Sequence, residues 1–256
     1  STDDIERVIG AAQTFSLPSN REIIHVIPKE FIVDNEGTIK DPQGMKGVRL
    51  EVNTLVISGG TPYVRNLTKC FNEVGVEIED MVIDTLASSK AVLTKRQKEL
   101  GVVCVDIGGG TCGITVFEEG DLLHTNVIPI GGGHITNDIA IGLRVPVDIA
   151  ESIKLEYGSA ITSEVSKRDM VDLSYVDSDE VGTISRRDIC EIIEARLSEI
   201  FDLVNKELKK IGKEAFLPGG VVLVGGGAKI PHIVDLAKQK MRLPAQIGFP
   251  KEVEGI

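Results

Sequence analysis

An α/β fold with a small α+β unit ahead of it is what this sequence predicts, and three segments carry the prediction. Residues 101–111 (GVVCVDIGGGT) and 221–231 (VVLVGGGAKIP) each set a block of largely β-branched apolar residues before a run of glycines. Each reads as a buried strand ending in a turn stripped of Cβ atoms, and such a turn lets backbone N–H groups approach an anion. Between them, Glu151 and Lys154 share one face of a short helix at i and i+3. One glycine run is weak evidence. Two, with a charged helix face between them, predict a phosphate site at one end and a nucleoside site at the other.

The chain opens on Ser1-Thr2-Asp3-Asp4, a helix-start signal, and Ile5, Val8, Ile9 and Ala12 follow at helical spacing. Residues 22–33 alternate as a strand around Pro28, residues 34–37 make a turn, and 48–58 form a second strand. Thr61 and Pro62 pattern as N-cap and N1 of a helix whose buried stripe is Val64, Leu67, Phe71 and Val74, and which Gly75 stops. Residues 76–83 read as a returning strand. Residues 1–84 are therefore expected to form a small α+β unit that carries no chemical motif.

Residues 86–98 then read as a helix, 101–107 as a strand, 113–118 as another, Glu119-Gly120 as a turn and 122–128 as a third strand. A glycine loop between two hairpin strands fails the context of a Rossmann or Walker A unit, where the loop has to open a helix. The run Gly131, Gly132, Gly133 does open one, with Thr136 as its cap and Ile139, Ala140 and Leu143 behind. Residues 148–157 form a short helix ending at Gly158, and 159–183 are mixed polar strand and turn. Ser185 caps a long helix with Ile189, Ile192, Ile193, Leu197, Ile200, Val204, Leu208 and Ile211 on its buried face. At 1.5 Å per residue it runs roughly 39 Å. A strand at 221–224, the second glycine turn, a helix with Pro231 at N1 and a strand-like stretch at 245–249 complete the chain.

At 256 residues and 42% hydrophobic, the chain can bury a sizeable core in two or more lobes. Its 28 Lys and Arg against 39 Asp and Glu give a net charge of −11. That excess excludes nucleic acid as a partner and repels anionic membrane, so a bound phosphate depends on local N–H groups and a metal ion. No apolar run approaches the roughly 20 residues of a membrane span. Cys70, Cys104, Cys112 and Cys190 lack C-x-x-C spacing and are expected as free thiols of a reducing cytosol, and the four histidines form no metal set.

Asp106 ends the first buried strand immediately before Gly108, Gly109 and Gly110. A carboxylate there can hold a hydrated Mg²⁺ beside phosphates, with Thr111 adding a hydroxyl, or it can cap a tight turn. Gly225, Gly226 and Gly227 offer free N–H groups and the positive end of a helix dipole, or an ordinary strand-to-helix connection. Glu151 can accept ribose hydroxyls while the Lys154 stem covers a base, or the two form a solvated surface pair. No Ser/His/Asp triad or paired carboxylates are legible, so no catalytic residue is assigned beyond Asp106 acting through a metal. Gly113, Ile114 and Thr115 supply no helper for a water molecule. Lys206, Lys209, Lys210 and Lys213 cluster at the end of the long helix, as a partner surface or as complement to its dipole.

VDIGGGT (105–111) resembles the second phosphate motif of the superfamily of actin, heat-shock chaperones and sugar kinases, and VVLVGGGAKIP resembles its adenosine motif. Within that group HVIPKEFIVD (25–34), GMKGVRLEV (44–52), DTLASSKAVLT (84–94), IPIGGGHITNDIAIGL (128–143) and AESIKLEYG (150–158) are similar to segments of FtsA, the actin-like family of bacterial cell division. The resemblance implies an actin-like (ribonuclease-H-like) ATPase fold, partial, with an inserted α+β domain. It further implies an ATP- and Mg-binding scaffold in the cytoplasm, at the inner face of the cell membrane at the division septum. Such a scaffold polymerises, binds the C-terminal tail of the tubulin-like FtsZ and recruits later division proteins.

Carried over by motif, Asp106, Gly108, Gly109, Gly110 and Thr111 face phosphate and Mg. Glu151 and Lys154 face ribose and base, and Gly225, Gly226, Gly227 and Lys229 close around the nucleoside. Residues 1–84 become the inserted domain used in filament contacts and recruitment, 85–134 with 221–256 the nucleotide-binding inner lobe, and 135–220 the outer lobe. The outer lobe takes the FtsZ tail, beside Lys206, Lys209, Lys210 and Lys213. Two departures qualify this. Gly113 stands where many superfamily members place an acid, so at most a weak ATPase is expected. The family's first phosphate motif and its membrane-targeting helix are not in these residues, so a central fragment is expected, reaching membrane only through that absent helix. The alternatives are a pilus-assembly scaffold and an active ATPase or chaperone of the same superfamily.

Overall fold

The Ser1 hydroxyl accepts the amide of Asp4 and starts helix α1 (Thr2–Gln13) with a capping box, as the opening residues predict. The computed structural model describes residues 1–14, 17–176 and 182–250. Residues 251–256, counted above with the inner lobe, and 177–181 of the mixed segment lie outside the described residues. The chain divides into two compact units, Ser1–Ile83 and Asp84–Ile256.

In the first unit β1 (Arg21–Val33) is flanked by the short β2 (Thr38–Ile39) and by β3 (Leu50–Gly60), all antiparallel. The ladder of β1 with β3 slips between Pro28 and Glu30, where proline has no N–H to give. Helix α2 (Thr61–Glu73) is capped by Gly60, with Pro62 in its first turn, so Thr61 lies inside the helix instead of capping it. The stripe expected to be buried is not: Leu67, Phe71 and Val74 are 52%, 42% and 73% exposed. The helix follows β3 without a connecting residue, and the face carrying Leu67 and Phe71 is turned to solvent. Its Val64 and Thr68 side is half-buried and lies along a groove shared with Glu22 of β1, and a Cβ on Gly59 would lie 2.9 Å from Val64. Residues 76–83 form no strand. Their alternation has strand period but no ladder, and the Ile83 amide instead donates to His25 Nε2 at 3.3 Å.

The second unit opens with two helices where one was expected, α3 (Asp84–Val92) and α4 (Lys95–Leu100), because Thr94 makes a fresh capping box with Gln97. Strands β4 (Val102–Ile107), β5 (Cys112–Glu118) and β6 (Asp121–Ile128) follow as an antiparallel meander. Helices α5 (Gly132–Leu143) and α6 (Val147–Tyr157), the short pair β7 (Met170–Asp172) and β8 (Thr183–Ser185), and the 25-residue α7 (Arg186–Lys210) come next. Strand β9 (Val221–Val224), α8 (Ile233–Met241) and β10 (Ala245–Ile247) finish the described chain.

The five-stranded sheet has the order β10-β9-β4-β5-β6. Val103, Val105 and Ile107 of β4 and the whole of β9 are buried, as near-continuous β-branched runs require of interior parallel strands. On α7, Ile189, Ile193, Leu197, Ile200, Val204 and Leu208 face the core, with Phe201 added to the predicted set. Arg196 ties α7 to α5 through a two-point ion pair with Asp138, at 2.6 and 2.8 Å. The pairing that sets the site is β4 against β9: they are parallel neighbours, with Asp106 opposite Val224. Their C-terminal ends therefore lie side by side, the edge at which open α/β sheets bind ligands.

Candidate functional site

Beyond β4, the first glycine turn is held by its own carbonyls. The Gly108 amide donates to the Thr111 carbonyl at 2.9 Å. The carbonyls of Gly108 and Gly109 accept the first two amides of α5, from Gly132 at 2.8 Å and Gly133 at 2.7 Å. Helix N-termini leave such amides without internal partners, and here the turn supplies them. The N-terminus of α5 therefore serves as a clamp on the turn. The amides of Gly109 and Gly110 find no acceptor among the described residues. Gly131 is the cap of α5 and donates to His134 Nδ1 at 3.1 Å; Thr136, expected as the cap, lies within the helix.

The second turn packs directly on the end of β4. Gly225 has φ +85°, and a Cβ there would lie 2.5 Å from both Asp106 Oδ1 and the Ile107 carbonyl. Residues Gly226–Lys229 form a single 3₁₀ turn, and α8 starts only at Ile233, with His232 at its cap. Pro231 is thus not at N1 of that helix. The free N–H groups belong to Gly226 and Gly227 at the head of the 3₁₀ turn, which have no acceptor among the described residues.

Gly108, Gly109, Gly132 and Gly133 with Gly226 and Gly227 form one side of a cavity of about 500 Å³. Glu151, Lys154 and Leu155 of α6 form another, and Lys229, Ile230 and Pro231 close it. The volume lies in the range of small-molecule sites. Glu151 and Lys154 are not a solvated pair. Lys154 is 9% exposed, and its ammonium donates to Glu151 Oε2 at 2.6 Å, to Thr136 Oγ1 at 2.8 Å and to the Gly132 carbonyl at 3.3 Å. Burial pushes the Glu151 carboxyl up, and hydrogen bonds from Lys154 and Thr136 outweigh it, so the group sits below its ordinary range. With its ammonium turned inward, Lys154 anchors Glu151 and leaves its stem on the cavity wall. The exposed apolar wall is Leu155, 71% exposed.

Asp106 lies one layer behind these turns, half-buried, its Oδ2 accepting the Ser88 hydroxyl at 2.6 Å. No ion pair reaches it among the described residues. A half-buried carboxylate without a cationic partner, at the root of a glycine turn, fits a hydrated hard cation. Thr111 is exposed and does not line the cavity; Gly110 borders an adjoining groove with His134 and Thr136. A Cβ on Gly113 would lie 2.1 Å from the Thr85 methyl, so the packing itself excludes an acid at that position. Of the basic cluster, Lys210 is paired with Glu207 and Lys213 with Glu118, each at 2.5 Å. Lys206 and Lys209 remain exposed. Ser88 and Leu155 escaped the sequence reading and Thr136 was read only as a helix cap, although each lies in a segment quoted above. Their partners are 15 to 18 residues away or across the cavity, beyond any local pattern.

A family model described as "Cell division protein FtsA" matches residues 103–256, and one described as "SHS2 domain inserted in FTSA" matches residues 1–58. The chain is 39% identical over 253 residues to the cell division protein FtsA of Pseudomonas aeruginosa, covering 99% of this chain and 61% of that one. It is 40% identical over 251 residues to FtsA of Bacillus subtilis, covering 98% and 57%. The chain therefore spans about three fifths of the length of the curated relatives it matches. Among solved structures, MreB5 of Spiroplasma citri bound to ADP superposes with a TM-score of 0.59 at 22% identity, over 73% of this chain and 60% of that one. At that identity the likeness speaks for the fold, which is the actin-like ATPase fold.

Proposed function

The chain belongs to the FtsA family of cell-division proteins, and from that premise we propose that its second unit holds a nucleotide of an actin-like division scaffold. The observation that carries this reading is the pairing of two glycine turns on adjacent parallel strands, each with amides that lack acceptors among the described residues, along one cavity whose opposite wall carries Glu151. The amides of Gly109 and Gly110 suit phosphate oxygens, and those of Gly226 and Gly227 suit the groups nearer the nucleoside. Glu151 suits the ribose, and Leu155 with Ile230 suits the base. MreB5, of the same fold, was solved with ADP, which supports ATP or ADP as the occupant here. Asp106, steadied by Ser88, would hold Mg²⁺ through water; the ion, when bound, neutralises phosphate charge.

With Gly113 packed against Thr85, the chain supplies no acid there to activate water. The nucleotide is accordingly a structural ligand that sets the shape of a polymer subunit, turned over slowly at most. In this reading residues 85–134 with 221–256 form the inner lobe and 135–220 the outer. The whole protein polymerises at the inner face of the membrane at the division site. Its outer lobe takes the FtsZ tail, and residues 1–84 recruit later division proteins. The lysines at the end of α7 are left to the helix dipole, since two of the four are spent on ion pairs within the chain.

Gly109→Ala and Gly226→Ala test the nucleotide reading, because a Cβ at either site meets nothing within 4 Å and neither needs a positive φ. Both variants should melt with the parent, while calorimetric titration of Mg-ATP shows affinity lower by about tenfold, as a methyl group enters the anion's approach path. Parent-like affinity in both variants would remove the proposal.

A further inference from the structure

Lys154 has three ammonium protons and three acceptors, on α5 and on its own helix. All three protons thus have acceptors within the chain. Thr136 stands at the centre of these bonds. Thr136 is 3% exposed and accepts from Lys154 at 2.8 Å. Its single proton has two acceptors in reach, the Gly132 carbonyl at 3.2 Å and Glu151 Oε2 in a shorter contact. The charged oxygen wins that choice, since hydrogen bonds to carboxylates are about twice as strong as neutral ones. Glu151 Oε2 therefore receives two donors, and Oε1 receives none among the described residues. Glu151 itself is 43% exposed on the cavity wall. Left alone, an exposed glutamate samples several rotamers; this one is held by a single oxygen, with the other free.

We propose that Thr136 is a positioning residue of the nucleoside site: with Lys154 it pins one oxygen of Glu151 so that the other is presented to a vicinal diol. The proposal rests on reading the cavity as a nucleotide site. Thr136 does not line that cavity and acts through Glu151 alone. Valine, its isostere, removes both the donor to Glu151 and the acceptor for Lys154; serine keeps both.

The test is a calorimetric titration of Mg-ATP and of Mg-2′,3′-dideoxy-ATP into the 256-residue chain and its Thr136→Val and Thr136→Ser forms. A carbon-13 NMR titration of the Glu151 carboxyl without nucleotide accompanies it. The parent and the serine form should prefer the diol by about tenfold or more, and the valine form should prefer it by no more than about twofold. The Glu151 carboxyl should titrate at higher pH in the valine form, with the serine form restoring the parent curve. If the valine form does not fold, Thr136→Ala makes the same comparison with a smaller side chain. An unchanged diol preference or an unchanged carboxyl titration in the variant that lacks the hydroxyl overturns the proposal. A parent that binds neither nucleotide overturns the nucleotide reading instead, and the carboxyl titration then judges the pinning by itself.

Discussion

Gly131→Ala isolates the clamp between the first glycine turn and α5. The residue has φ −152° and ψ −164°, extended backbone that alanine adopts freely, so the cost is one of space alone. A Cβ there would lie 2.5 Å from the Gly108 carbonyl oxygen and 2.8 Å from both the Gly109 oxygen and the Thr111 nitrogen. All three are backbone atoms, which cannot rotate away, so the turn has to lift off the helix. Lifting it breaks the bonds from Gly132 at 2.8 Å and Gly133 at 2.7 Å. Two hydrogen bonds at about 1 kcal/mol each, with an overpacking cost of about 1–3 kcal/mol, give roughly 3–5 kcal/mol. Reduced freedom of the unfolded chain returns about 0.4–1 kcal/mol, leaving a net loss near 3 kcal/mol. For a unit of this size each kcal/mol lowers the melting temperature by about 2–4 °C, so a fall of about 6–12 °C is expected by calorimetry. Amide exchange at Gly132 and Gly133 should accelerate together. Gly110→Ala is the control, since nothing lies within 4 Å of a Cβ there. A variant that melts within a degree of the parent, with both amides still protected, would refute the clamp.

Two further outcomes follow from burial and charge. Burial pushes the Glu207 carboxyl up, but the Lys210 hydrogen bond at 2.5 Å and the Lys210 charge, with the His124 ring 3.4 Å away, outweigh it, so the group lies below its ordinary 4.5. A depressed carboxyl stabilises the fold fully above that value and loses its contribution as pH falls through the folded one. Glu207→Gln should therefore cost about 1 kcal/mol at neutral pH, Lys210 being largely exposed, and should flatten the loss of stability below pH 4.5 in acid-dependent urea melts. An equally steep acid slope in the variant would contradict this account. Phe71→Ala on the outward face of α2 should change stability by less than about 1 kcal/mol, whereas Phe201→Ala, fully buried on α7, should cost about 3–5 kcal/mol. Comparable urea midpoints for the two would mean that the α2 stripe is packed after all.

Where local chemistry decides, the sequence was legible. The capping box at Ser1, the buried runs of β4 and β9, and the apolar face of α7 were readable because each depends on neighbours within a turn or two. The α2 stripe shows the limit. Its 3.6-residue period is real, but period cannot say whether a surface waits opposite, and here Leu67, Phe71 and Val74 meet none. The strand expected at 76–83 fails for the same reason, having alternation without a ladder. In the site, Gly108, Gly109, Glu151, Lys154, Gly226, Gly227 and Lys229 were legible as neighbours of one cavity, Gly132, Gly133 and Leu155 were not, and roles were less legible than places. Lys154 could be placed on the right face of α6, but nothing in sequence shows that its ammonium turns inward to Thr136 and Gly132.

The three glycine runs look alike in sequence, but six of their nine glycines fall into two opposite classes by what a Cβ would meet, with Gly108, Gly132 and Gly133 between them. At Gly131, Gly225 and Gly227 it would come within 2.4–2.5 Å of the first turn or of β4, so glycine is required for the chain to close on itself. At Gly109, Gly110 and Gly226 it would meet nothing within 4 Å, and none of the three has a positive φ. The fold makes no demand for glycine there; alanine would fit and would lower the entropy lost on folding. A demand that the chain does not make has to come from what approaches it. All three positions border open space beside Glu151, and their amides lack acceptors among the described residues. An anion that comes close to bare backbone meets both conditions, whereas an apolar occupant would leave the amides without an acceptor. The closing glycines explain why the cavity exists, and the open ones point to the charge of what enters it.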